Sequence, residues 1–289
     1  LLSLIVSVSA TQLKVPSAYT TIQAGLNAAS TGDTVLVAVG TYTENIIWPE
    51  INGIKLISAG DSSNTIIDGG GTSSVIYMNP QTATIDTTTL IQGFKITNGG
   101  NVNNGAGIFC SGSSPQFKSL MVLGNQADNL GGGIYIQYGS ARLTKSLVMN
   151  NTAASGGGVN IYNSNAVLVD LLIENNNSSQ RGGGLYIWAG SCSVSNSIVD
   201  NNSAGSSGGG IYLESSSNLI NVRVANNSAG SGGGLAVWSP SGSSPSLGNL
   251  TIIGNTASNI GGGIYMYNAN ANITNTLIYN NSANDGAGI

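Results

Sequence analysis

The sequence predicts an all-β parallel β-helix with an N-terminal capping helix, and three observations support this prediction. Alternating apolar segments follow a glycine triplet in each unit, and a second aliphatic segment precedes an Asn pair. No helical spacing runs through the repeated part. The triplets recur every 24 to 29 residues, beginning at Gly131, Gly156, Gly182, Gly208, Gly232 and Gly261. A fixed period in this range with short strand-like segments indicates a solenoid with roughly three strands per coil.

The N-terminal third is less regular than the rest of the chain. Residues 1–10, LLSLIVSVSA, predict the remnant of a secretory signal peptide cleaved after Ala10; the alternative is an N-terminal strand. Residues 19–30 show helical spacing through Ile22, Leu26 and Ala29, which predicts a helix that caps the open core. We expect one domain over 11–289, with the cap and irregular coils in 11–104 and regular repeats, truncated at the C-terminus, in 105–289.

The repeated units predict where each residue type lies in the coil. Period-two alternation places Ile134 and Ile136, and their equivalents in other units, towards the core. The glycines fall at bends that need a positive φ or a close approach of neighbouring coils. The Asn residues that close each unit, such as Asn151 and Asn202, are predicted to stack and to hydrogen-bond from coil to coil.

Composition excludes several classes of function. Charged residues make up only 7% of the chain, the net charge is −4, and Lys and Arg are scattered, so a nucleic-acid surface is not expected. The chain has no His, and its two cysteines have no metal-site spacing, so we expect no metal and no cofactor. Cys110 and Cys192 lie three units apart, which predicts that both are unpaired. No segment has the length of a membrane span.

An outward column of aromatic residues is the candidate recognition surface. If the aliphatic residues after each triplet point inward, the residues between them point outward and form a flat ladder with one step of about 4.8 Å per coil. Such a ladder suits an extended polysaccharide; alternatively, the aromatics are present because they favour strands and stack on each other. The predicted ligand-binding residues are Tyr186, Trp188, Tyr212, Glu214, Trp238, Tyr265 and Tyr267.

Two further columns allow alternative interpretations. Glu174 and Asp200 fall in one column of adjacent coils, where two carboxylates about 5 Å apart would suit a retaining glycosidase; the alternative is two solvated acids near a turn. Another column is mostly apolar and forms either an outward stripe for a partner or part of the core. Its members are Met121, Leu147, Leu172, Ile198, Arg223, Thr251 and Leu277.

Two segments carry a family resemblance. Residues 21–46, TIQAGLNAASTGDTVLVAVGTYTENI, resemble the entry region of secreted members of the pectin-lyase-like superfamily of right-handed parallel β-helices. Units such as NNSAGSSGGGIYL, residues 201–213, resemble repeats of polymorphic outer membrane proteins. The segment GTYTE, residues 40–44, is similar to part of the pectin methylesterase signature, but that family's later catalytic segments are absent, and the Gly-His-Gly segment of polygalacturonases is absent too.

The resemblance implies a secreted or cell-surface location and leaves three functions open, because one fold hosts many activities. The first is a noncatalytic, adhesin-like protein that binds a polysaccharide or a cell-surface glycan through the aromatic ladder. The second is a polysaccharide lyase or glycoside hydrolase of the same fold. The third is a structural stalk that presents a downstream anchoring or functional domain.

Overall fold

The computed structural model describes residues 10–239, 242 and 244–289, and in them the chain winds into a parallel β-solenoid of about ten turns. The predicted parallel β-helix is therefore confirmed. Residues 1–9 of the predicted signal remnant lie outside the described residues. The strands of successive coils pair in parallel, for example Ile134 with Val159 and Leu147 with Leu172.

The largest sheet has nineteen strands in two stacks, because most coils contribute two of its strands. Two eight-residue strands, Ser193–Asp200 and Asn218–Ala225, run through both stacks and join them. The other strands of this sheet are Gln12–Val15, Thr34–Val37, Gly40–Thr43, Lys55–Ser58, Thr65–Asp68, Leu90–Gln92, Lys95–Thr97, Gln116–Lys118, Met121–Leu123, Arg142–Thr144, Leu147–Met149, Val167–Val169, Leu172–Glu174, Ser246–Gly248, Thr251–Ile253, Asn272–Thr274 and Leu277–Tyr279.

Two smaller sheets complete the coil. The strands that follow the glycine triplets, with their equivalents in earlier coils, form a nine-stranded sheet: Ile46–Ile47, Ile76–Met78, Ile108–Ser111, Ile134–Gln137, Val159–Tyr162, Leu185–Trp188, Ile211–Glu214, Leu235–Trp238 and Ile264–Tyr267. In five coils a fourth, short strand lies just before the glycine triplet, and this strand was not predicted. These strands form a five-stranded sheet: Thr152–Ser155, Asn177–Arg181, Ser203–Ala204, Ser228–Ser231 and Thr256–Ile260.

One α-helix, Ile22–Ala28, forms in the segment where a helix was predicted. The Thr21 hydroxyl caps it by accepting a hydrogen bond from the Ala24 amide at 3.0 Å. The Glu44 carboxylate accepts two more, from the amides of Ile22 at 2.9 Å and Gln23 at 3.0 Å. The glutamate of the GTYTE segment therefore holds the start of this helix. That the helix caps the core stays a prediction.

The inward columns agree with the predicted alternation. Ile134, Ile136, Leu143 and Val148 and their equivalents in later coils are buried in one continuous apolar core. The mostly apolar column that begins at Met121 faces outward instead of into the core: Ile198 is 41% exposed and Leu277 is 64% exposed. Its place between two inward-facing columns of the same sheet explains this direction.

A ladder of buried Asn side chains links the coils. Asn176 is typical: its Oδ1 accepts hydrogen bonds from the backbone amide and the Nδ2 of Asn151, both at 3.0 Å. Its Nδ2 donates to the Val148 carbonyl at 2.9 Å and to Asn202 Oδ1 at 3.0 Å. The amide thus satisfies polar groups of two neighbouring coils inside the protein. The ladder consists of Asn125, Asn151, Asn176, Asn202, Asn227, Asn255 and Asn281.

The glycine triplets lie where neighbouring coils approach most closely. Gly156 has a φ of +62°, a conformation that favours glycine. A Cβ on Gly157 would lie 2.3 Å from the carbonyl oxygen of Asn177 in the next coil, and one on Gly158 would lie 2.6 Å from the carbonyl oxygen of Gly184. Both distances are shorter than van der Waals contact, so the repeated glycines are a steric requirement of stacking.

We expect Asn176→Ala to destabilise the fold through this ladder. The change leaves the Asn151 amide and the Val148 carbonyl buried without these partners, and each unpaired group costs about 1–3 kcal/mol. The free energy of unfolding in a urea titration should therefore fall by roughly 3 kcal/mol. The control is Asn177→Ala, because Asn177 is adjacent but exposed, and it should change this free energy by less than about 0.5 kcal/mol. Equal effects of the two substitutions would contradict the ladder.

Candidate functional site

A groove of about 690 Å³ runs along the outer side of the glycine bends. Its walls come from the nine-stranded sheet, which contributes Tyr186, Trp188, Glu214 and Trp238, and from the five-stranded sheet, which contributes Arg181. The Arg181 guanidinium lies against the rings of Tyr212 and Trp238, so this side chain reaches the outward side of strands that follow later triplets. A smaller cavity of about 230 Å³ continues the groove along Tyr212, Trp238 and Tyr267.

The aromatic residues nearest the glycine bends point away from the core but are covered. Tyr186 is only 5% exposed and Tyr212 only 6%, and they pack with Ala236, Trp238 and Tyr265 in a cluster separate from the core. The Tyr186 and Tyr212 rings contact edge to face, with centroids 5.3 Å apart. Their predicted outward direction agrees with this separate cluster, but the two side chains are covered rather than open to solvent, and the Arg181 guanidinium lies 5.3 Å from the Tyr212 ring. Their contact with a ligand stays a prediction.

Asn160 occupies the same covered column one coil earlier. It pairs in register with Tyr135 and Tyr186 and is fully buried. Neither its Nδ2 nor its Oδ1 has a hydrogen-bond partner. The Asn160 side chain is therefore enclosed by the protein and not open to a ligand.

The second outward column supplies the exposed aromatic surface. Trp188 is 43% exposed, Tyr267 is 52% exposed, and Trp238 is half-buried between the groove and its extension. The Trp188 ring also packs on Tyr162, with centroids 4.5 Å apart. Two coil steps separate Trp188 from Trp238, a distance of about 10 Å. These side chains form a strip of apolar faces at the rim of the groove.

Glu214 and Arg181 form an ion pair at the centre of the groove. Arg181 Nη1 lies 3.7 Å from Glu214 Oε1, and the side chains are 41% and 5% exposed, respectively. The Tyr186 hydroxyl donates a hydrogen bond to Glu214 Oε2 at 3.0 Å. The Arg181 guanidinium carbon lies 5.3 Å from the centroid of the Tyr212 ring and 5.6 Å from that of Trp238, within cation–π distance of both.

Burial changes the titration of these groups. Burial raises the pKa of the Glu214 carboxyl, and the Tyr186 hydrogen bond and the Arg181 charge oppose that rise only in part. Burial also raises the pKa of Tyr212 to about 12, with the Glu214 charge adding to the effect. Among the described residues that line the groove, Glu214 is the one carboxylate.

The two predicted catalytic carboxylates lie away from the groove, on the large sheet. Glu174 and Asp200 are opposite each other in neighbouring strands, as the repeat alignment predicted. Asp200 forms an ion pair with Arg223 at 3.1 Å and accepts a hydrogen bond from Asn226 Nδ2 at 2.9 Å. This arrangement gives Asp200 structural partners. The proposed catalytic role of the pair stays a prediction.

Other possible sites were searched among the described residues. No group of three or more His, Cys, Asp or Glu side chains there is placed to hold a metal ion. Both cysteines are buried and free. Within the same part of the chain, no helix has the length and apolar character that crossing a bilayer requires.

Arg181 is the groove residue that the sequence reasoning missed. The equivalent positions before the other complete triplets hold only neutral residues: Leu130, Ser155, Ser207, Ser231 and Ile260. A single charged residue before a complete triplet was a usable signal. Its direction was not predictable because the five-stranded sheet itself had not been predicted.

The sequence matches a repeat known from one surface-protein family. A family model of the Chlamydia polymorphic membrane protein repeat matches residues 196–214 and 249–266. Each match begins at a left-handed Asn, Asn196 or Asn249, and runs through a ladder Asn and a glycine triplet into the nine-stranded sheet. The resemblance predicted from the repeats is thus confirmed for two units. Among curated proteins, no sequence matches the chain significantly.

Solved structures that align with this chain include a viral protein and two enzymes with different activities. ORF18 of Geobacillus virus E2 aligns over 91% of this chain and 56% of its own, at 15% identity and a TM-score of 0.49. Pectin methylesterase PemA from Erwinia chrysanthemi aligns over 90% and 80%, at 13% identity and a TM-score of 0.43. Alginate lyase from Paenibacillus sp. str. FPU-7 aligns over 92% and 99%, at 16% identity and a TM-score of 0.39. This chain thus spans little more than half of the viral protein.

We expect Glu214 and Glu50 to titrate at clearly different pH. Three backbone amides donate to the Glu50 carboxylate and lower its pKa to about 2, whereas burial places the pKa of Glu214 above 4.5. Side-chain carboxyl carbon shifts measured by NMR across a pH titration should separate the two, with Glu214→Gln identifying its resonance. A Glu214 midpoint at or below 4.5 would contradict the described burial.

The same shift predicts the sign of a stability effect. Because the pKa of Glu214 is higher in the folded state than in the unfolded chain, folding binds the proton more tightly. Its contribution to stability therefore decreases as the pH rises through 4.5 and up to the folded-state pKa. The free energy of unfolding of Glu214→Gln should decrease less than that of the wild type over this window.

Proposed function

We infer that the protein binds a glycan along the groove without cleaving it. The observation that carries this conclusion is the exposed aromatic strip of Trp188, Trp238 and Tyr267 at the rim of a polar groove. A large aromatic patch on a solvent-exposed surface is uncommon unless it binds a ligand or a partner. Flat rings stack on the apolar faces of sugar units, and the groove supplies hydrogen-bonding groups for their hydroxyls.

The spacing of the strip supports an extended ligand. Residues at equivalent positions of successive coils are about 4.8 Å apart. Tyr267 therefore lies one step from Trp238 and Trp188 lies two steps from it, with Glu214 at the position between the two Trp residues. The groove and its extension share Trp238 and Arg181. A chain of several sugar units lying parallel to the axis would contact Trp188, Trp238 and Tyr267 in turn.

The number of carboxylates in the groove favours binding of a glycan over its cleavage. Glycoside hydrolysis ordinarily needs two carboxyl groups, one as the acid and one as the nucleophile or base. The described lining of the groove contains Glu214 alone, and its charge is already opposed by Arg181 at 3.7 Å. The raised pKa of Glu214 is the one feature that favours the hydrolase alternative. Product release that Glu214→Gln removes would support that alternative and overturn the noncatalytic proposal.

The proposed location is the cell surface or the exterior of the cell. The two matched units resemble the repeat of a polymorphic membrane protein. A glycan-binding groove on such a repeat would serve adhesion to a polysaccharide or to a glycan of another cell. Labelling of intact cells with an impermeant reagent would test this location, and labelling only after lysis would contradict it.

We expect aromatic truncation at the rim to weaken glycan retention. The protein is incubated with immobilised cellulose, xylan, chitin and polygalacturonate, and the retained fraction is measured for each. On the glycan that retains the wild type, Trp188→Ala and Trp238→Ala should each weaken binding by about tenfold, or roughly 1.4 kcal/mol, and the double variant should abolish retention.

The matched control is Tyr279→Ala. Tyr279 is 46% exposed but lies on the large sheet, so its removal deletes an exposed ring outside the groove. It should leave retention unchanged, and circular dichroism should show the same fold for all variants. Equal loss in the control and the groove variants, or no loss in either, would contradict the proposed surface.

A further inference from the structure

The centre of the groove is built as a site for a cation. Two aromatic rings, Tyr212 and Trp238, lie within cation–π distance of the Arg181 guanidinium, at 5.3 Å and 5.6 Å from its central carbon. The Glu214 carboxylate faces the same guanidinium at 3.7 Å. Aromatic faces with a carboxylate are the chemical setting in which proteins hold ammonium and guanidinium groups. Here the occupant is a side chain of the protein itself.

We call the site formed by Tyr212, Trp238 and Glu214 the cation cage. The Glu214 carboxylate of this cage is incompletely paired. Glu214 Oε2 receives the Tyr186 hydroxyl at 3.0 Å, but Oε1 is buried and has no hydrogen-bond partner. Its separation of 3.7 Å from Arg181 Nη1 is longer than a hydrogen bond. Buried polar atoms without a partner are uncommon in folded proteins. A buried carboxylate oxygen that faces the groove therefore has an unused capacity to accept a hydrogen bond.

Arg181 can leave the cage without disturbing the core. It lies at the end of the strand Asn177–Arg181, and its side chain is 41% exposed. A long arginine side chain keeps its charged end hydrated when it swings into solvent. Its departure would open the faces of Tyr212 and Trp238 and leave the Glu214 charge uncompensated.

We propose that this cage binds a cationic group of the ligand, the ammonium of an amino sugar, and that Arg181 is its displaceable internal occupant. The proposal rests on the glycan-binding function above and names the class of glycan. An ammonium is more compact than a guanidinium and carries three donors, so it can approach Glu214 Oε1 to hydrogen-bonding distance. The pyranose ring that bears it would remain at the aromatic rim.

Arg181 then acts as a competitor of the ligand. When the binding-competent state is only a fraction of the population, the apparent affinity falls by that fraction. Removing the guanidinium should therefore raise the affinity for an amino sugar. A ligand carboxylate held by Arg181 would show the opposite dependence, so the effect of one substitution separates the two charge types.

The test compares two ligands that differ only at nitrogen: the tetramer of glucosamine and the tetramer of N-acetylglucosamine. Titration calorimetry is carried out at a pH between the pKa of Glu214 and that of the sugar amine. The wild type should prefer the glucosamine tetramer. Arg181→Ala should raise the ratio of the affinity for the glucosamine tetramer to the affinity for the N-acetylated tetramer by about tenfold. Glu214→Gln should remove the preference between the two.

Two control variants and a check of folding accompany the calorimetric titrations. Arg142→Ala removes one exposed positive charge outside the groove and should leave both affinities unchanged, which excludes a general charge effect. Arg181→Gln provides a second vacated cage, and thermal unfolding verifies that each variant folds. Equal affinity of the wild type for both tetramers would overturn the cation site while leaving glycan binding intact.

Three other results would also overturn the cation site. One is binding of neither tetramer, in which case the polysaccharide panel alone decides the proposed function. Another is weaker binding of the glucosamine tetramer to Arg181→Ala. The third is loss of polygalacturonate retention in Arg181→Ala but not in Arg142→Ala, which would identify Arg181 as the contact for a ligand anion.

Discussion

The buried Asn ladder is the interaction on which the rest of the structure depends. Each amide hydrogen-bonds to the coil before it and the coil after it, so its geometry works only when successive coils stack in register. The glycine triplets make this stacking sterically possible, because any side chain at Gly157 or Gly158 would meet a carbonyl oxygen of the next coil. The ladder and the glycines therefore set the register and the spacing of the coils independently of the exposed side chains. The outer face then presents side chains at regular positions.

The groove lies where the strands before and after the glycine bends come together. Arg181, at the end of the strand before one bend, lies against outward-pointing rings of the nine-stranded sheet. One outward column of that sheet is covered and the next remains exposed. Tyr186 and Tyr212, in the covered column, form a packed aromatic layer, and Trp188, in the next column, lies at the rim. The covered layer positions the Glu214 carboxylate through the Tyr186 hydroxyl and supports the Arg181 guanidinium through the Tyr212 ring. Burial in this corner, rather than the core, is what perturbs these groups.

Much of the fold was predictable from the sequence, because the period, the alternation and the glycines each report a local constraint. The inward columns, the coil-to-coil Asn contacts and the N-terminal helical segment all follow from such constraints. Exposure was less predictable. Alternation states whether a side chain points towards the core, but not whether another part of the coil covers it. Tyr186 and Trp188 are two residues apart in one strand and point the same way, yet they are 5% and 43% exposed. Tyr186 packs against Tyr212 and donates a hydrogen bond to Glu214, both in the next coil, and alternation within one strand does not report such neighbours.

Departures from the repeat are the most informative positions for function in a solenoid of this kind. A column of stacked residues favours neutral side chains, since equal charges in adjacent coils repel. A single charge that interrupts a neutral column therefore does not arise from the stacking rule. Glu214 interrupts a neutral column, and Arg181 is the one charged residue directly before a complete glycine triplet. The structure brings the two together across adjacent coils. Stacking explains the Asn ladder and the glycines completely, but it gives no reason for this pair, its aromatic surroundings or the unpartnered carboxylate oxygen between them. The proposed recognition of a charged ligand would supply that reason.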